Sequence, residues 1–277
     1  MTRRGAGGNH REREEGALVY PAYSRRSRGL SVGINLFPDR KVCPFDCPYC
    51  EVFPFKTEIR FSPESMKRAL RQILVREAAA VRDICFSGNG EPTLSPWFPE
   101  ALEAAARIRD ELVPQADLVA ITSGTGLLDQ GIFSLLREAA GSPPALKLWL
   151  KLDAGTEGWY RKINRSKIPH RAILGKIREF AGEVPVIIQT MVCKVGGLPP
   201  PAEEAEAWET AVLGLALDNA GPEPRGLTGV QIYGKARPAP RDPLAEALDE
   251  PFLVSRAASL KKKLERSGRN IPVDIFP

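Results

Sequence analysis

Three cysteines that lie close together, Cys43, Cys47 and Cys50, have the most specific chemistry in the sequence. They belong to the segment VCPFDCPYC, which places three thiols on one short loop. Iron–sulfur clusters are held by cysteine thiolates, usually four for a [4Fe–4S] cluster, so three ligands leave one iron open to a substrate or cofactor. The spacing therefore predicts a [4Fe–4S] cluster in which these residues are both metal ligands and catalytic residues.

A zinc site and a disulfide framework are the alternatives for these cysteines. Zinc sites usually combine two Cys-x-x-Cys pairs or add histidines at ligand spacing. The chain offers only His10 and His170, and neither lies at that spacing. Its five cysteines are an odd and low number for 277 residues, and we expect no signal peptide at its start. These features favour the cluster.

The second informative motif is the turn Ser87–Pro92, with the sequence SGNGEP, directly after an apolar run. In parallel α/β folds, the loops that follow the strands line the ligand site. Glycines let the backbone approach a ligand closely, and a nearby carboxylate can pair with an ammonium group. Such turns are common between strands and helices, so the motif gains its weight from the cysteine loop upstream.

The composition is that of an ordinary soluble protein. The chain has 277 residues, 43% of them hydrophobic, which is enough for one large core. We see no apolar run of about eighteen residues that would predict a membrane span, and unpaired thiols suit a reducing compartment, so we expect a cytoplasmic protein with no membrane partner. The net charge of +5 permits a phosphate-rich partner without requiring one.

Short apolar runs alternate with helical patterns and predict an α/β fold. Six runs are predicted strands, most of them nearly continuously apolar as in a sheet covered on both faces: Leu30–Leu36, Val81–Ser87, Asp117–Ser123, Leu146–Leu152, Val184–Val192 and Gly229–Tyr233. Helical spacing is found in Pro63–Ala80 and Phe98–Leu112. Strands that alternate with helices form a parallel sheet, which is either a barrel or a doubly wound sheet. Six strands instead of eight suggest a partial (β/α)6 TIM-like barrel that is open on one side.

Three segments are predicted along the chain: a flexible tail over residues 1–17, the barrel over 18–240, and an appended helix and strand over 241–277. Longer connections are predicted at Gly196–Pro201, Pro222–Pro224 and Arg237–Pro243. The appended helix, Leu253–Ser267, carries basic residues near its end, where cations suit the helix dipole. That cluster is therefore interpreted as a solvated helix end and not as a nucleic-acid site.

The cysteine loop and the glycine turn together resemble those of the radical S-adenosylmethionine (radical SAM) superfamily. The resemblance implies that SAM caps the open iron through its amino and carboxylate groups. It also implies that the glycine turn holds the methionyl amino group of SAM, a role that falls on Gly88, Asn89, Gly90 and Glu91, chiefly the last two.

Other contacts to SAM follow from the same resemblance. Tyr49 matches the aromatic position beside the adenine, with packing under the loop as its alternative. Thr122 and Ser123 end the third predicted strand and Asp153 ends the fourth, where they can reach the ribose hydroxyls. Asp153 is alternatively the cap of the following helix.

Two further residues, Gln189 on the fifth strand and Tyr233 at the end of the sixth, are predicted to line the pocket, with core or turn positions as alternatives. Cys85 lies inside a strand and is predicted to be a small buried hydrophobe. Cys193 ends the fifth strand, where it is either a substrate-side thiol or hydrogen-atom donor or an ordinary strand-end residue.

Within the superfamily, the chain resembles the group that includes the tRNA wyosine-synthesising enzymes, over most of residues 20–240. The segments that carry this likeness, besides SGNGEPTL, are Tyr23–Arg26, Gly33–Asn35, Leu152–Ala154 and Lys162–Arg165. Those enzymes hold a second cluster on further N-terminal cysteines, whereas this chain has no cysteine before Cys43. We therefore expect one cluster only.

The resemblance implies an enzyme that cleaves SAM reductively and abstracts hydrogen from an RNA base, a peptide or a metabolite. It implies an electron donor such as flavodoxin or ferredoxin. The positive net charge of this chain would complement the acidic docking face of such a protein. For tRNA we expect at most weak, strongly salt-dependent binding, because the charge excess is small. Arg25, Arg26 and Arg28 are either anion-binding forks or surface charges.

Two other classes of function are alternatives to this enzyme. One is an iron–sulfur electron carrier or sensor without SAM chemistry, and the other is a zinc-binding nucleic-acid module. An electron carrier would be expected to use four cysteine ligands and has no need of a turn that combines glycines with a carboxylate.

Overall fold

The computed structural model describes residues 17–142, 145–217, 225–241 and 244–277. Of the predicted tail, only Ala17 is among the described residues. The predicted connection Pro222–Pro224 and the end of Arg237–Pro243 lie outside them. The predicted boundaries at residues 17 and 240 stay predictions, and the contacts of the chain divide it into two units.

Strands and helices alternate along most of the described chain. The strands are β1 (Val19–Ser24), β2 (Gly29–Ile34), β3 (Val81–Phe86), β4 (Asp117–Thr122), β5 (Leu146–Lys151), β6 (Pro185–Val192), β7 (Lys194–Val195), β8 (Gly226–Gly234), β9 (Ala245–Glu246) and β10 (Val273–Phe276). The helices are α1 (Pro63–Glu77), α2 (Phe98–Leu112), α3 (Gln130–Gly141), α4 (Glu157–Ile163), α5 (His170–Ala181), α6 (Ala202–Leu217) and α7 (Glu250–Arg266).

The first unit comprises Met1–Cys43 and Val52–Thr122. It contains β1 to β4 with α1 and α2, and β1 runs antiparallel to β2. The strands β2, β3 and β4 pair in parallel in that order. The end of the cysteine segment that carries Cys43 and the turn after β3 both belong to this unit.

Local sequence explains where the elements of the first unit begin and pack. α1 starts at Pro63 because the hydroxyl of Ser62 accepts a hydrogen bond from a backbone N–H of the first turn and proline suits that turn. The rings of Phe86 on β3 and Phe98 on α2 meet edge to face with centres 5.3 Å apart. The core of this unit therefore lies between its sheet and its helices.

The second unit comprises Pro44–Glu51 and Ser123–Pro277. Its strands β5, β6, β8 and β10 pair in parallel in that order, and the short strands β7 and β9 pair antiparallel. Phe133 of α3 and Phe180 of α5 meet edge to face with ring centres 5.1 Å apart. Cys47, Cys50 and the ends of β5 and β8 belong to this unit.

The predicted fold class, an α/β fold of mostly parallel strands of the partial TIM-like barrel type, is confirmed. Each of the six predicted strands is present with its bounds shifted by at most a few residues, and so are the C-terminal helix and strand, as α7 and β10. The strands β1, β7 and β9 were not predicted. β1 contains Pro21 and alternates in burial, and β7 and β9 have two residues each, so none shows the long apolar run on which the prediction depended.

Membrane insertion of a helix was not expected from the hydropathy of the sequence. In the part of the chain that the structure describes, no helix combines the length and the apolar character that a bilayer crossing requires.

Candidate functional site

The glycine turn after β3 takes its shape from one asparagine side chain. Oδ1 of Asn35 accepts hydrogen bonds from the backbone N–H groups of Phe37 and Asn89, at 3.2 and 3.1 Å. Gly88 has a φ of +133°, and a Cβ there would lie 2.8 Å from the same Oδ1. Gly88 is therefore required both for its backbone conformation and for the close approach of Asn35.

The start of the cysteine loop is bonded to this turn on both sides of Gly90. The N–H of Val42 donates to the carbonyl of Asn89 at 3.1 Å, and the N–H of Glu91 donates to the carbonyl of Val42 at 2.8 Å. A Cβ on Gly90 would lie 2.0 Å from the carbonyl oxygen of Val42. The absence of a side chain at Gly90 thus lets the backbone directly before Cys43 lie against the turn.

The carboxylate of Glu91 is buried, with 2% of the residue exposed, and held by hydroxyl groups. Its Oε1 accepts from the hydroxyls of Thr93 and Thr122, both at 2.6 Å, and from the backbone N–H of Thr93 at 3.3 Å. It also caps the short 3-10 turn Pro92–Leu94. The structure therefore brings the predicted residues Glu91 and Thr122 into direct contact and fixes the carboxylate in one orientation.

In the second unit, the cysteine loop is bonded to the end of α4. The N–H of Asp46 donates to the carbonyl of Asn164 at 2.9 Å, and the N–H of Cys50 closes a turn onto the carbonyl of Cys47 at 3.0 Å. The ring of Phe45 packs edge-on against that of Tyr160 with centres 5.6 Å apart. Asn164 belongs to Lys162–Arg165, which the sequence singled out only through its likeness to known motifs, whereas Tyr160 was not singled out.

Charged pairs hold the same loop from outside. Asp46 lies 3.3 Å from the guanidinium of Arg165 and 2.8 Å from that of Arg241. Glu51 lies 3.2 Å from Arg237. All these side chains are partly exposed, so each pair is worth on the order of 1 kcal/mol or less. These pairs form a clamp on the loop that is not visible in the sequence, because its members are far apart along the chain.

The sulfur of Cys47 is buried beside Asn164. Nδ2 of Asn164 donates to the sulfur at 3.5 Å, and the thiol lies 3.9 Å from the carbonyl oxygen of Asn164. Burial, and after it the charge of Asp153, raise the pKa of the Cys47 thiol to about 12, although the hydrogen bonds from Tyr49 and Asn164 act in the opposite direction. A metal that binds this sulfur would have to displace its proton.

Predicted residues from three separate segments meet around Lys151. The hydroxyl of Tyr49 donates to Oδ2 of Asp153, and Nζ of Lys151 lies 3.2 Å from Oδ1. Lys151 also donates to the hydroxyl of Tyr233 and lies over the rings of Tyr49 and Tyr233, 5.1 and 4.8 Å from their centres. Tyr49, Asp153 and Tyr233 are thus gathered around a lysine that was not predicted.

The electrostatics of this group follow from its burial. Burial and then the negative charge of Asp153 raise the pKa of Tyr49 well above its ordinary value, so its phenol stays protonated and donates. Burial alone would lower the pKa of Lys151, but the charge of Asp153 and the phenol of Tyr233 outweigh it, and the net shift is upward. Lys151 is therefore an ammonium ion paired with Asp153.

Asp153 has four donors on its two oxygens. Besides Tyr49 and Lys151, the N–H of Met191 donates to Oδ1 at 2.9 Å and Nδ2 of Asn164 donates to Oδ2 at 2.7 Å. A carboxylate offers about four acceptor positions, so a ribose hydroxyl at Asp153 would replace one of these donors. The alternative role of Asp153 as a helix cap is wrong, because the hydroxyl of Thr156 caps α4.

The turn after Asp153 is fixed by the helix α6. The carboxylate of Glu204 accepts from the N–H groups of Gly155 and Thr156 at 2.6 and 2.9 Å. A Cβ on Gly155 would lie 2.0 Å from the backbone nitrogen of Trp208, and the indole N–H of Trp208 donates to the carbonyl of Leu152 at 2.9 Å. These contacts hold the end of β5 in place on both sides of Asp153.

The other residues singled out in the sequence lie in strands or directly after them. Ser123 follows β4 and bonds to the hydroxyl of Thr125 at 2.8 Å. Gln189 is fully buried and donates to Oε1 of Gln231 at 2.6 Å, in register with Lys151 on the next strand. Cys85 on β3 is buried, as predicted, and Cys193 after β6 is completely buried.

The donor set of the cysteine loop suits an iron–sulfur cluster in its chemistry. The cysteines are free thiols, and the N–H that points at the sulfur of Cys47 would stabilise a thiolate better than a thiol. Across the ranges that the structure describes, no group of three His, Cys, Asp or Glu side chains is arranged to hold a metal ion. The assignment of Cys43, Cys47 and Cys50 as joint ligands therefore stays a prediction.

Solved structures with a similar fold include SuiB from Streptococcus suis bound to S-adenosylmethionine, with a TM-score of 0.63 and 12% identity over 86% of this chain and 51% of that one. A radical SAM methyltransferase from Sphaerobacter thermophilus has a TM-score of 0.59 and 17% identity over 92% of this chain and 67% of that one. At these identities the likeness is one of fold.

Sequence relatives are proteins of the UPF0026 type. The UPF0026 protein slr1464 of Synechocystis is 30% identical over 185 residues, which are 63% of this chain and 64% of that protein. The UPF0026 protein of Helicobacter pylori is 31% identical over 97 residues, which are 33% of this chain and 31% of that protein. The matches thus span less than two thirds of the length of these relatives.

The family model of the Radical SAM superfamily matches residues 40–200, which are more than half of the chain. The match includes both the cysteine loop and the glycine turn. The chain therefore belongs to the radical SAM superfamily, whose members use S-adenosylmethionine and an iron–sulfur cluster.

Proposed function

We propose that this SAM-dependent radical enzyme binds one [4Fe–4S] cluster through Cys43, Cys47 and Cys50 and uses it to cleave SAM reductively. The bound cluster and SAM would supply a 5′-deoxyadenosyl radical that abstracts hydrogen from the substrate. An RNA base, a peptide and a metabolite are the candidate substrate classes. An electron donor such as flavodoxin or ferredoxin is the proposed partner.

The observation that supports this proposal most is the bonding of the cysteine loop to the glycine turn. Two backbone hydrogen bonds join Val42 to Asn89 and Glu91, so the first cysteine follows directly on a residue that is fixed against the turn. An iron–sulfur electron carrier has no need of a buried carboxylate at that place. In an enzyme that binds SAM, that carboxylate can pair with the methionyl ammonium group.

Glu91 is the proposed partner of the methionyl ammonium group of SAM. Its carboxylate is already oriented by the hydroxyls of Thr93 and Thr122, so binding the ligand would require little reordering. A charged hydrogen bond from the ammonium group is stronger than one between neutral groups. Gly88, Asn89 and Gly90 would offer backbone groups to the same part of the ligand.

Tyr49 and Asp153 are the proposed residues for the adenosine part of SAM. Their mutual hydrogen bond holds the hydroxyl end of Tyr49 in place, and an adenine would pack against the ring. A ribose hydroxyl would exchange for one donor on Asp153. Lys151 keeps the local charge balanced, because its ammonium group neutralises the buried carboxylate.

The test is reductive cleavage of SAM by the full chain. The protein is reconstituted with iron and sulfide under anaerobic conditions, reduced with dithionite and given SAM, and 5′-deoxyadenosine is measured. We expect 5′-deoxyadenosine from the wild type and only background from Cys50→Ala, with Cys85→Ala as the matched control at a cysteine outside the loop. A wild type that takes up a cluster but forms no more 5′-deoxyadenosine than Cys50→Ala would favour an electron carrier or sensor and refute the proposal.

A further inference from the structure

Asn164, the residue that follows α4, makes more contacts with the cysteine loop than any role in ending its helix requires. It is 1% exposed and its N–H bonds to the carbonyl of Tyr160 as the helix ends. Its own φ and ψ of −103° and −22° are ordinary for a helix end. Helices often end on glycine or asparagine in the left-handed region, but here that conformation belongs to the next residue, Arg165, with a φ of +51°.

The positive φ of Arg165 turns the chain so that two successive residues meet the cysteine loop. Backbone strain of this kind persists only where the surroundings enforce it. The guanidinium of Arg165 lies 3.3 Å from Asp46, and the carbonyl of Asn164 accepts the N–H of the same Asp46. The end of α4 is therefore built to contact the loop and not merely to end a helix.

The side-chain amide of Asn164 bridges a thiol and a carboxylate. An Nδ2 group has two hydrogens. It lies 3.5 Å from the sulfur of Cys47 and 2.7 Å from Oδ2 of Asp153, so each hydrogen has an acceptor. Oδ2 of Asp153 also accepts from the hydroxyl of Tyr49. A single amide thus connects the middle cysteine to the oxygen that orients Tyr49.

Aspartate, which has the same shape, could not replace this asparagine in its role. Its carboxylate has no N–H to donate, and it would add a negative charge beside both Asp153 and a thiolate. Alanine would leave both acceptors without this donor. The contacts therefore select an amide at position 164 and not merely a side chain of that size.

We propose that Asn164 is a positioning residue that holds Cys47 against Asp153 and stabilises the reduced state of a cluster bound to Cys47 through its N–H···S hydrogen bond. The inference rests on the proposed function, because it takes Cys47 to be a cluster ligand. Hydrogen bonds to the sulfurs are among the factors that set cluster potentials. An added electron increases the negative charge on sulfur, so an N–H donor stabilises the reduced form more than the oxidised form.

The test compares the reduction potential of the cluster in reconstituted full-length variants by electron paramagnetic resonance during a redox titration. Asn164→Ala removes both N–H donors of the side chain without adding charge. Asn164→Asp removes them and keeps the size of the side chain, but it adds a negative charge. Asn270→Asp is the matched control, because it makes the same change at an exposed residue. At a fixed potential, we expect the ratio of reduced to oxidised cluster to fall about tenfold in Asn164→Ala, a shift of about 59 mV for one electron. The ratio should fall further in Asn164→Asp, because its added negative charge also disfavours the reduced cluster.

A double variant, Asp153→Asn with Asn164→Asp, separates positioning from the effect on the sulfur. It exchanges donor and acceptor, so the hydrogen bond between positions 153 and 164 can form again, while no N–H of residue 164 faces Cys47. We expect it to recover thermal stability lost in Asn164→Asp but to keep the more negative potential. Recovery of the wild-type potential would overturn the proposed effect on the sulfur.

The outcomes also separate this inference from the proposed function. An unchanged potential in cluster-loaded Asn164→Ala, in a protein whose wild type cleaves SAM, would overturn the inference and leave the function intact. A shifted potential in a protein whose wild type forms no 5′-deoxyadenosine would support the role of Asn164 and refute the function.

Discussion

Gly90→Ala tests whether the close approach of two backbones fixes the first cysteine. The added Cβ would lie 2.0 Å from the carbonyl oxygen of Val42 and 3.0 Å from the ring of Phe37. A carbon and a carbonyl oxygen normally stay about 3.3 Å or more apart. Val42 therefore has to retreat by more than about 1 Å, which breaks or lengthens its bonds to Asn89 and Glu91.

The expected loss of stability follows from these contacts. Two backbone hydrogen bonds contribute roughly 0.5 to 1.5 kcal/mol each, and steric overpacking costs about 1 to 3 kcal/mol. We therefore expect the free energy of unfolding to fall by about 2 to 6 kcal/mol. Gly90 does not have a positive φ, so the effect is steric and not one of backbone strain.

The measurement is urea-induced unfolding of the variant and the wild type, with iron uptake after reconstitution as a second readout. Gly175→Ala is the matched control: it lies within α5, and a Cβ there would meet no atom within 4 Å. That change should stabilise the protein by about 0.5 to 1 kcal/mol. Wild-type stability and iron uptake in Gly90→Ala would refute the reasoning.

Three further variants test the buried groups. Glu91→Gln keeps the shape but removes the charge proposed to bind an ammonium group, and we expect 5′-deoxyadenosine formation to fall about 10-fold or more with the fold intact, whereas the exposed Glu100→Gln should have no effect. Tyr49→Phe removes the hydroxyl that donates to Asp153 and should lower the free energy of unfolding by about 1 to 3 kcal/mol; equal losses in Tyr23→Phe, whose ring is 76% exposed, would contradict this explanation. Burial raises the pKa of Asp83 above its ordinary value of 3.8, so the unfolded chain releases this proton more readily and stability should decline as the pH rises from about 4 through the raised pKa. Asp83→Asn should make that decline smaller in urea titrations at several pH values, and an unchanged slope would exclude Asp83 as its source.

The sequence predicted the parts of the fold and site that depend on local pattern. Six strands are apolar runs, and the cysteine loop and glycine turn are continuous motifs. Lys151 and Asn164 were given no role, although Leu152–Ala154 and Lys162–Arg165 were noted as segments, because no local pattern shows what their side chains contact. Their partners come from elsewhere in the chain: Cys47 and Asn164 are 117 residues apart, and Tyr49 and Asp153 are 104 apart.

The sequence predicted Glu91 as a site residue but did not predict which groups hold its carboxylate. A carboxylate after two glycines is visible in the sequence, whereas the hydroxyl of Thr122 reaches it only because β3 and β4 pair in parallel. Thr122 was predicted to contact a ribose, and its bond to Glu91 could not be deduced without the strand register. Residues that support a site are thus harder to predict than residues that form a motif.

The arginine clamp on the cysteine loop has a consequence for the biogenesis of the protein. Asp46 pairs with Arg241, 195 residues further along the chain. Its backbone hydrogen bond to Asn164 also joins residues that are far apart in sequence. Contacts of such separation form late, and during synthesis they have to wait for the distant segment to leave the ribosome. The loop can therefore complete its contacts only after Arg241 has been synthesised, so a metal bound by the loop should reach its final surroundings after that point and not before it.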